Sequence, residues 1–205
     1  MVSVYYADLR ELPPGLDSGI SLLSAVRRSQ FFMLRNETAR RRCLASGLLL
    51  RRVIGTGDES HTALGKPFIP GSPPYSISHS GNIVCLAVGE KPCGVDIQQH
   101  KPSVFPKLVA HCFAESERTL VKTERDFFDL WTAKESLGKQ MGVGIARILR
   151  VPLLHSDAGI LSLSCPTLPA LRFYQSDYFA DHSFTLCTED DWDGIIRRVR
   201  LSDNE

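Results

Sequence analysis

One order of helical and extended segments occurs twice along the chain, and this repeat constrains the fold more than any other feature. Leucines at helical spacing among arginines predict a helix, and the pattern is clearest over 39–53. Short apolar runs at 83–88 and 94–97 then predict two strands. The second half again begins with a helix, predicted over 126–141, and continues with short β-like runs between 149 and 188. Helices and strands separated in this way favour an α+β fold of two units packed face to face.

Composition excludes several classes of protein. A net charge of +1 over 205 residues gives no electrostatic reason to expect a nucleic acid or membrane partner. The six cysteines include no C-x-x-C pair, which argues against a zinc site built on close thiolates. The first residues contain no apolar stretch typical of a signal peptide, and the apolar run 83–88 is too short to cross a bilayer. We therefore expect a cytoplasmic protein whose charged tail, after residue 190, frays.

A segment rich in small donors, 76–82, precedes the first of these strands. It contains Ser76, Ser78, His79 and Ser80, followed by Gly81, and is predicted to form a loop. Hydroxyl and imidazole donors beside a glycine can surround an oxygen-rich anion. A polar turn that caps the strand is the alternative interpretation.

Asp96 stands within the apolar strand predicted over 94–97. An unpaired buried carboxylate is costly, so Asp96 needs a partner, and a hard cation such as Mg²⁺ would be suitable. Gln98, two residues later, faces the same side of the strand. The alternative is an aspartate at the sheet edge that points into water.

The helix predicted over 126–141 carries Glu135 and Lys139, four residues apart on one flank. They could form a surface ion pair or act as a metal ligand beside a phosphate-binding ammonium. Lys134 falls within the apolar stripe, where extension of its ammonium to the surface is the simplest explanation.

Three motifs in this order resemble those of the Sfp-type 4'-phosphopantetheinyl transferases. They are Gly65-Lys66-Pro67 leading to 76–81, then 94–97, then Trp131 through Lys139. The resemblance covers most of the chain and leaves about the first 25 and last 15 residues unmatched. It implies an α+β fold in which two similar α+β halves pack as a pseudo-dimer within one chain, which favours a monomer. We place these halves at residues 1–101 and 102–205, with the active site at their interface.

The resemblance also implies a reaction and its metal ligands. The 4'-phosphopantetheine of coenzyme A would pass to a serine of an apo acyl or peptidyl carrier protein, releasing adenosine 3',5'-bisphosphate. Asp96 and Glu135 would bind Mg²⁺ (or Mn²⁺), and Lys139 would hold a pyrophosphate oxygen. Glu135 would also be the general base, directly or through a metal-bound water. Gln98 stands where many family members have glutamate, so the metal would take its amide oxygen or keep a water there.

Further residues are assigned to coenzyme A by the same resemblance. Ser78 and His79 would contact its phosphates, and Lys66 and Pro67 would line the adenine side. The candidates for the 3'-phosphate are Arg42, Arg27 and Arg28.

Two other functions compete with this one. A catalytically silent module could keep the fold and only bind carrier proteins, but it would not need Asp96, Glu135 and Lys139 together. A hydrolase built on Ser78 and His79 lacks the G-x-S-x-G motif, and adjacent residues of an extended segment point apart.

Overall fold

A computed structural model describes residues 1–12, 15, 17–101, 105–157 and 160–202. Within these ranges short strands alternate with helices, and 3₁₀ turns lie at Leu9–Glu11 and Ile145–Arg147. The helices are α1 (Asp17–Ile20), α2 (Ala25–Met33), α3 (Glu37–Ile54), α4 (Phe105–Cys112), α5 (Glu115–Arg118) and α6 (Glu124–Met141). The strands are β1 (Val2–Asp8), β2 (Ser60–His61), β3 (Pro67–Phe68), β4 (Tyr75–Ser80), β5 (Ile83–Val88), β6 (Cys93–Gln99), β7 (Leu154–Asp157), β8 (Ile160–Leu163), β9 (Arg172–Gln175), β10 (His182–Thr188) and β11 (Trp192–Arg198).

Two main sheets organise the molecule. The first has the strand order β11-β1-β5-β4 and the second has the order β6-β10-β9, while β2 with β3 and β7 with β8 form small hairpins. Strand β11 runs parallel to β1, and the other pairs formed by the described residues are antiparallel. The predicted α+β class is confirmed.

The repeat seen in the sequence has a counterpart in the topology. Along the chain, three strands of each sheet and one long helix follow the same order: strand, long helix, strand, strand. In the first sheet these elements are β1, α3, β4 and β5, and in the second they are β6, α6, β9 and β10. In both, the last strand lies between the other two. The pseudo-dimer and the division at 101 and 102 stay predictions. Residue 102 lies outside the described residues, and β6, which precedes the division, pairs with β10, which follows it.

Both long helices occur where the sequence predicts them, with recognisable ends. At the start of α6, the Thr123 side chain accepts from the Asp126 amide while the Asp126 carboxylate accepts from the Thr123 amide, which is a capping box. The helix ends at Gly142, whose φ of 70° is left-handed. Among the described residues, no helix has the length and apolar character needed to cross a bilayer.

Two expectations about local structure are wrong. Residues 76–80 belong to strand β4, and the turn follows at Gly81 with φ 54°. The tail after residue 190 does not fray up to Arg198, because β11 pairs with β1 and buries Ile196.

Lys134 does not reach the surface. Its side chain and that of Glu117 are both fully buried, with the Lys134 ammonium 2.9 Å from Glu117 Oε2. The Lys134 ammonium also donates to Val151 O, and Glu117 Oε1 accepts from the amides of Leu153 and Leu154. This buried pair therefore ties α5 and α6 to the segment that leads into β7.

The contact between α6 and β6 is unusually close, because Gly94 has no side chain. A Cβ at Gly94 would lie 1.9 Å from Ser136 O and 2.5 Å from Gln140 N. Both atoms belong to the α6 backbone, so the helix itself would have to move.

We expect Gly94→Ala to lower the free energy of unfolding by about 3 kcal/mol, the upper end of the usual cost of overpacking, because movement of a side chain cannot relieve a contact with backbone. Chemical denaturation measures this, with Gly144→Ala as the control, since a Cβ there meets no atom within 4 Å. Equal stability of the two variants would contradict this packing.

We expect Lys134→Ala to cost about 3–5 kcal/mol, because it leaves the Glu117 charge buried without a cation. Adding Glu117→Gln should restore part of this loss, since the charge disappears while an amide oxygen can still accept from the Leu153 amide. Lys91→Ala, which breaks an exposed pair with Glu189, should cost less than about 1 kcal/mol in the same denaturation assay. A loss for Lys134→Ala as small as this would show that the buried pair contributes little.

Candidate active site

One cavity of about 690 Å³ collects most of the predicted site residues. It lies between β4, β6 and α6 on one side and α2 and α3 on the other. Its lining includes Arg42, Ser78, His79, Asp96, Gln98, Glu135 and Lys139.

Asp96 is buried near the middle of β6, with 5% of its surface exposed. Ser78 Oγ donates to Asp96 Oδ1 at 2.7 Å, and Lys139 Nζ donates to the same oxygen at 2.6 Å. The alternative of an aspartate that points into water is therefore wrong. The partner present in the structure is the Lys139 ammonium.

Glu135 and Lys139 do not form a surface pair. Lys139 turns from α6 toward β6, where it contacts Asp96 and donates to Val95 O. Glu135 is half-buried, and no residue in the described ranges donates a hydrogen bond to its carboxylate. Burial, and then the negative charge of Asp96, raise the pKa of Glu135, while Lys139 opposes them. Two carboxylates thus share one cavity with a single lysine between them.

Arg42 and His79 line the same cavity as these carboxylates. Arg42 donates through Nη2 to Gly81 O at 3.2 Å, while its Nε is buried and has no hydrogen-bond partner among the described residues. Desolvation by the surrounding protein, and then the Arg42 charge, lower the pKa of His79. An unsatisfied guanidinium donor with an imidazole in the same cavity suits an oxygen-rich anion.

Lys66 and Pro67 line a separate cavity of about 290 Å³, which shares Ile77 and Lys139 with the larger one. The Lys66 ammonium donates to Cys93 O at 3.0 Å and to Gln140 O at 3.2 Å. Burial lowers its pKa. In this structure Lys66 therefore joins the start of β6 to the end of α6.

Arg27 and Arg28 differ in their surroundings. Arg27 lines the larger cavity but is paired with Glu59, whose carboxylate also accepts from Tyr75 and Ser24. Arg28 is exposed and donates to Leu23 O.

Several lining residues were not assigned to the site from the sequence. Trp131, the first residue of the third motif, lies one turn before Glu135, and Ser46 lies one turn after Arg42, so their four-residue spacing indicates shared faces. Cys43 is adjacent to Arg42 and has no such spacing. Gln30 of α2 and Leu34, which directly follows α2, carry no sequence signal, because only tertiary packing brings this helix over the cavity.

The oxygen donors fit a hard cation in type. Asp96, Glu135 and Gln98 line one cavity, and carboxylate and amide oxygens are ligands that Mg²⁺ accepts. The described ranges contain no group of three or more His, Cys, Asp and Glu residues arranged to hold a metal. Two carboxylates with a neutral amide and waters would therefore have to suffice.

Comparison with known proteins gives consistent results. Residues 92–187, which include Asp96, Gln98, Glu135 and Lys139, match the family model of the 4'-phosphopantetheinyl transferase superfamily. The Bacillus subtilis (strain 168) protein named 4'-phosphopantetheinyl transferase Sfp is 30% identical over 169 residues. The match covers 72% of this chain and 73% of the length of that protein.

Two further relatives come from Bacillus subtilis. The 4'-phosphopantetheinyl transferase ffp is 31% identical over 172 residues, and the match covers 73% of this chain and 74% of the length of that relative. Another 4'-phosphopantetheinyl transferase is 32% identical over 131 residues, and the match spans 60% of this chain but only 58% of the relative.

Proposed function

The chain belongs to the 4'-phosphopantetheinyl transferase superfamily, and from this premise we propose that it moves 4'-phosphopantetheine from coenzyme A to a serine of an apo acyl or peptidyl carrier protein. The observation that carries the proposal is the convergence of Asp96, Glu135 and Lys139 in one cavity with Arg42. Phosphoryl transfer depends mainly on positioning and on charge stabilisation, and this set offers both.

The chain's own residues divide between holding the donor and handling a proton. Lys139 and Arg42 hold oxygens of the donor, whose negative charges match these two cations. The carrier serine oxygen forms a bond to the phosphorus that bears the pantetheine arm. The bond from that phosphorus to the adenosine 3',5'-bisphosphate oxygen breaks, and this product leaves with the bonding electrons.

Glu135 receives the serine proton, directly or through a water. It has no hydrogen-bond donor among the described residues, so its oxygens are available. Asp96 and Glu135 would hold Mg²⁺, with Gln98 or a water beside them. Bound Mg²⁺ would neutralise charge on the pyrophosphate and on the leaving group.

Both competing functions fit the geometry less well. A silent binding module has no use for a buried and a half-buried carboxylate in one cavity with a lysine. A Ser78–His79 hydrolase would need the hydroxyl to face the imidazole, but Ser78 Oγ donates to Asp96, and consecutive residues of a strand such as β4 point to opposite faces.

We expect incubation with coenzyme A, Mg²⁺ and an apo carrier protein to raise the carrier's mass by one phosphopantetheine. Intact-protein mass spectrometry measures the gain across fatty-acid, polyketide and nonribosomal peptide carriers. Excess EDTA should abolish the gain, and Mn²⁺ should restore it. Carrier binding without any mass gain would favour the silent module, and full turnover in EDTA would contradict the metal requirement.

We expect Glu135→Gln to lower the transfer rate by about 10² to 10⁴, because it removes the proposed base and a metal ligand. The free energy of unfolding should change by less than about 1 kcal/mol, since glutamine is nearly isosteric and no described hydrogen bond is lost. Steady-state kinetics and chemical denaturation check the two parts, with exposed Glu115→Gln as the control. A near-normal rate for Glu135→Gln would remove the central residue of this mechanism.

A further inference from the structure

Strands β4 and β6 belong to different sheets, yet they lie side by side and are joined by side chains. Three serines of β4, spaced two residues apart, are buried and point toward β6. Each hydroxyl accepts a backbone amide of β6, in the place where a neighbouring strand would offer a carbonyl. The bonds join Val95 N to Ser76 Oγ (3.0 Å), Ile97 N to Ser78 Oγ (3.4 Å) and Gln99 N to Ser80 Oγ (2.9 Å).

Ser78 differs from the other two serines in one respect. Its hydroxyl proton is donated to Asp96 Oδ1 at 2.7 Å. A serine hydroxyl has a single proton to donate, so Ser78 has none left for a phosphate oxygen. The role implied by family resemblance, a contact with the donor's phosphates, conflicts with this arrangement.

The two donors to Asp96 approach the same oxygen. Ser78 Oγ and Lys139 Nζ both contact Oδ1, and no donor within the described ranges contacts Oδ2. The hydroxyl of Ser78 is fixed by the Ile97 amide, so it holds the carboxylate in one orientation. One oxygen is held by the protein and the other is left for a ligand.

We propose that Ser78 is a positioning residue, which orients Asp96 so that Oδ2 faces the metal, while Ser76 and Ser80 only join the two sheets. The inference rests on the proposed function, because it needs Asp96 to be a metal ligand. Partners that orient metal ligands commonly change metal affinity or activity by 10- to 100-fold when removed.

The three serines supply their own controls. Ser76→Ala and Ser80→Ala each remove one bond between the sheets, whereas Ser78→Ala removes the bond from the Ile97 amide and the bond to Asp96 Oδ1. All three should lower the melting temperature, so thermal melts report the loss of sheet contacts separately from metal binding. Mn²⁺ binding in the presence of coenzyme A, measured by electron paramagnetic resonance without a carrier, requires no turnover. We expect Ser78→Ala to weaken Mn²⁺ binding about 10- to 100-fold and the other two variants to bind like the wild type.

A second pair of variants keeps the test valid if Ser78→Ala folds poorly. Ser78→Thr and Ser78→Val have nearly the same volume and differ in the hydroxyl, so only the threonine variant should retain Mn²⁺ affinity. Equal Mn²⁺ binding by these two, or by the three alanine variants, would overturn the proposal. So would a Ser78→Ala variant with normal Mn²⁺ binding and a raised KM for coenzyme A, which would indicate a phosphate contact. Failure of the proposed function would instead appear in the wild type, as carrier that gains no mass.

Discussion

The direct packing of α6 on β6 is the contact on which the site depends, because it places Lys139 and Glu135 beside Asp96. Gly94 lets the helix backbone approach the strand closely enough for Lys139 to reach Asp96 Oδ1 at 2.6 Å. The same approach brings Glu135, one turn earlier, into the cavity with Asp96. A buried carboxylate without a cation would be costly, so the lysine also stabilises the site while no ligand is bound.

The sequence predicted the elements that local spacing determines. Helix α6 and the core of α3 follow from apolar periodicity. Asp96 stands out because a carboxylate in an apolar strand needs a partner, and Glu135 and Lys139 stand out by their four-residue spacing and by the family resemblance. It could not predict which partners they meet. Lys134 was expected at the surface, yet it is paired with Glu117 across 17 residues of sequence, and Lys139 pairs with Asp96 across 43. These are tertiary contacts, and no local pattern encodes them.

The same limit explains the errors in secondary structure. The polar segment 76–80 is predicted as a loop because its hydroxyl and imidazole donors stand beside Gly81, whereas in the structure it is a strand with serines at the inward positions. They face a strand edge rather than an apolar core, so hydroxyls satisfy amides there. Strand β11 was missed because its pairing with β1 supplies the stability that its charged sequence lacks.

The two sheets have the same internal order but close their outer edges differently. Strand β1 has its edge covered by the backbone of β11, which satisfies its amides with carbonyls. The corresponding edge of β6 is met by serine side chains of β4.

Because β4 contacts β6 through serine side chains, the two backbones are separated by the length of a hydroxymethyl group, and each hydroxyl keeps a proton that it can donate. If β4 and β6 were paired by backbone hydrogen bonds instead, the Ile97 amide would bind a carbonyl, and no serine hydroxyl would be placed to donate to Asp96. Beside this junction, Arg42 Nε is buried without a hydrogen-bond partner, and no donor among the described residues is bonded to Asp96 Oδ2. A ligand would have to supply an anionic oxygen for the first and a cation for the second. A pyrophosphate that carries its own metal ion satisfies both at once, which is why a site of this charge pattern suits phosphoryl transfer better than simple anion binding.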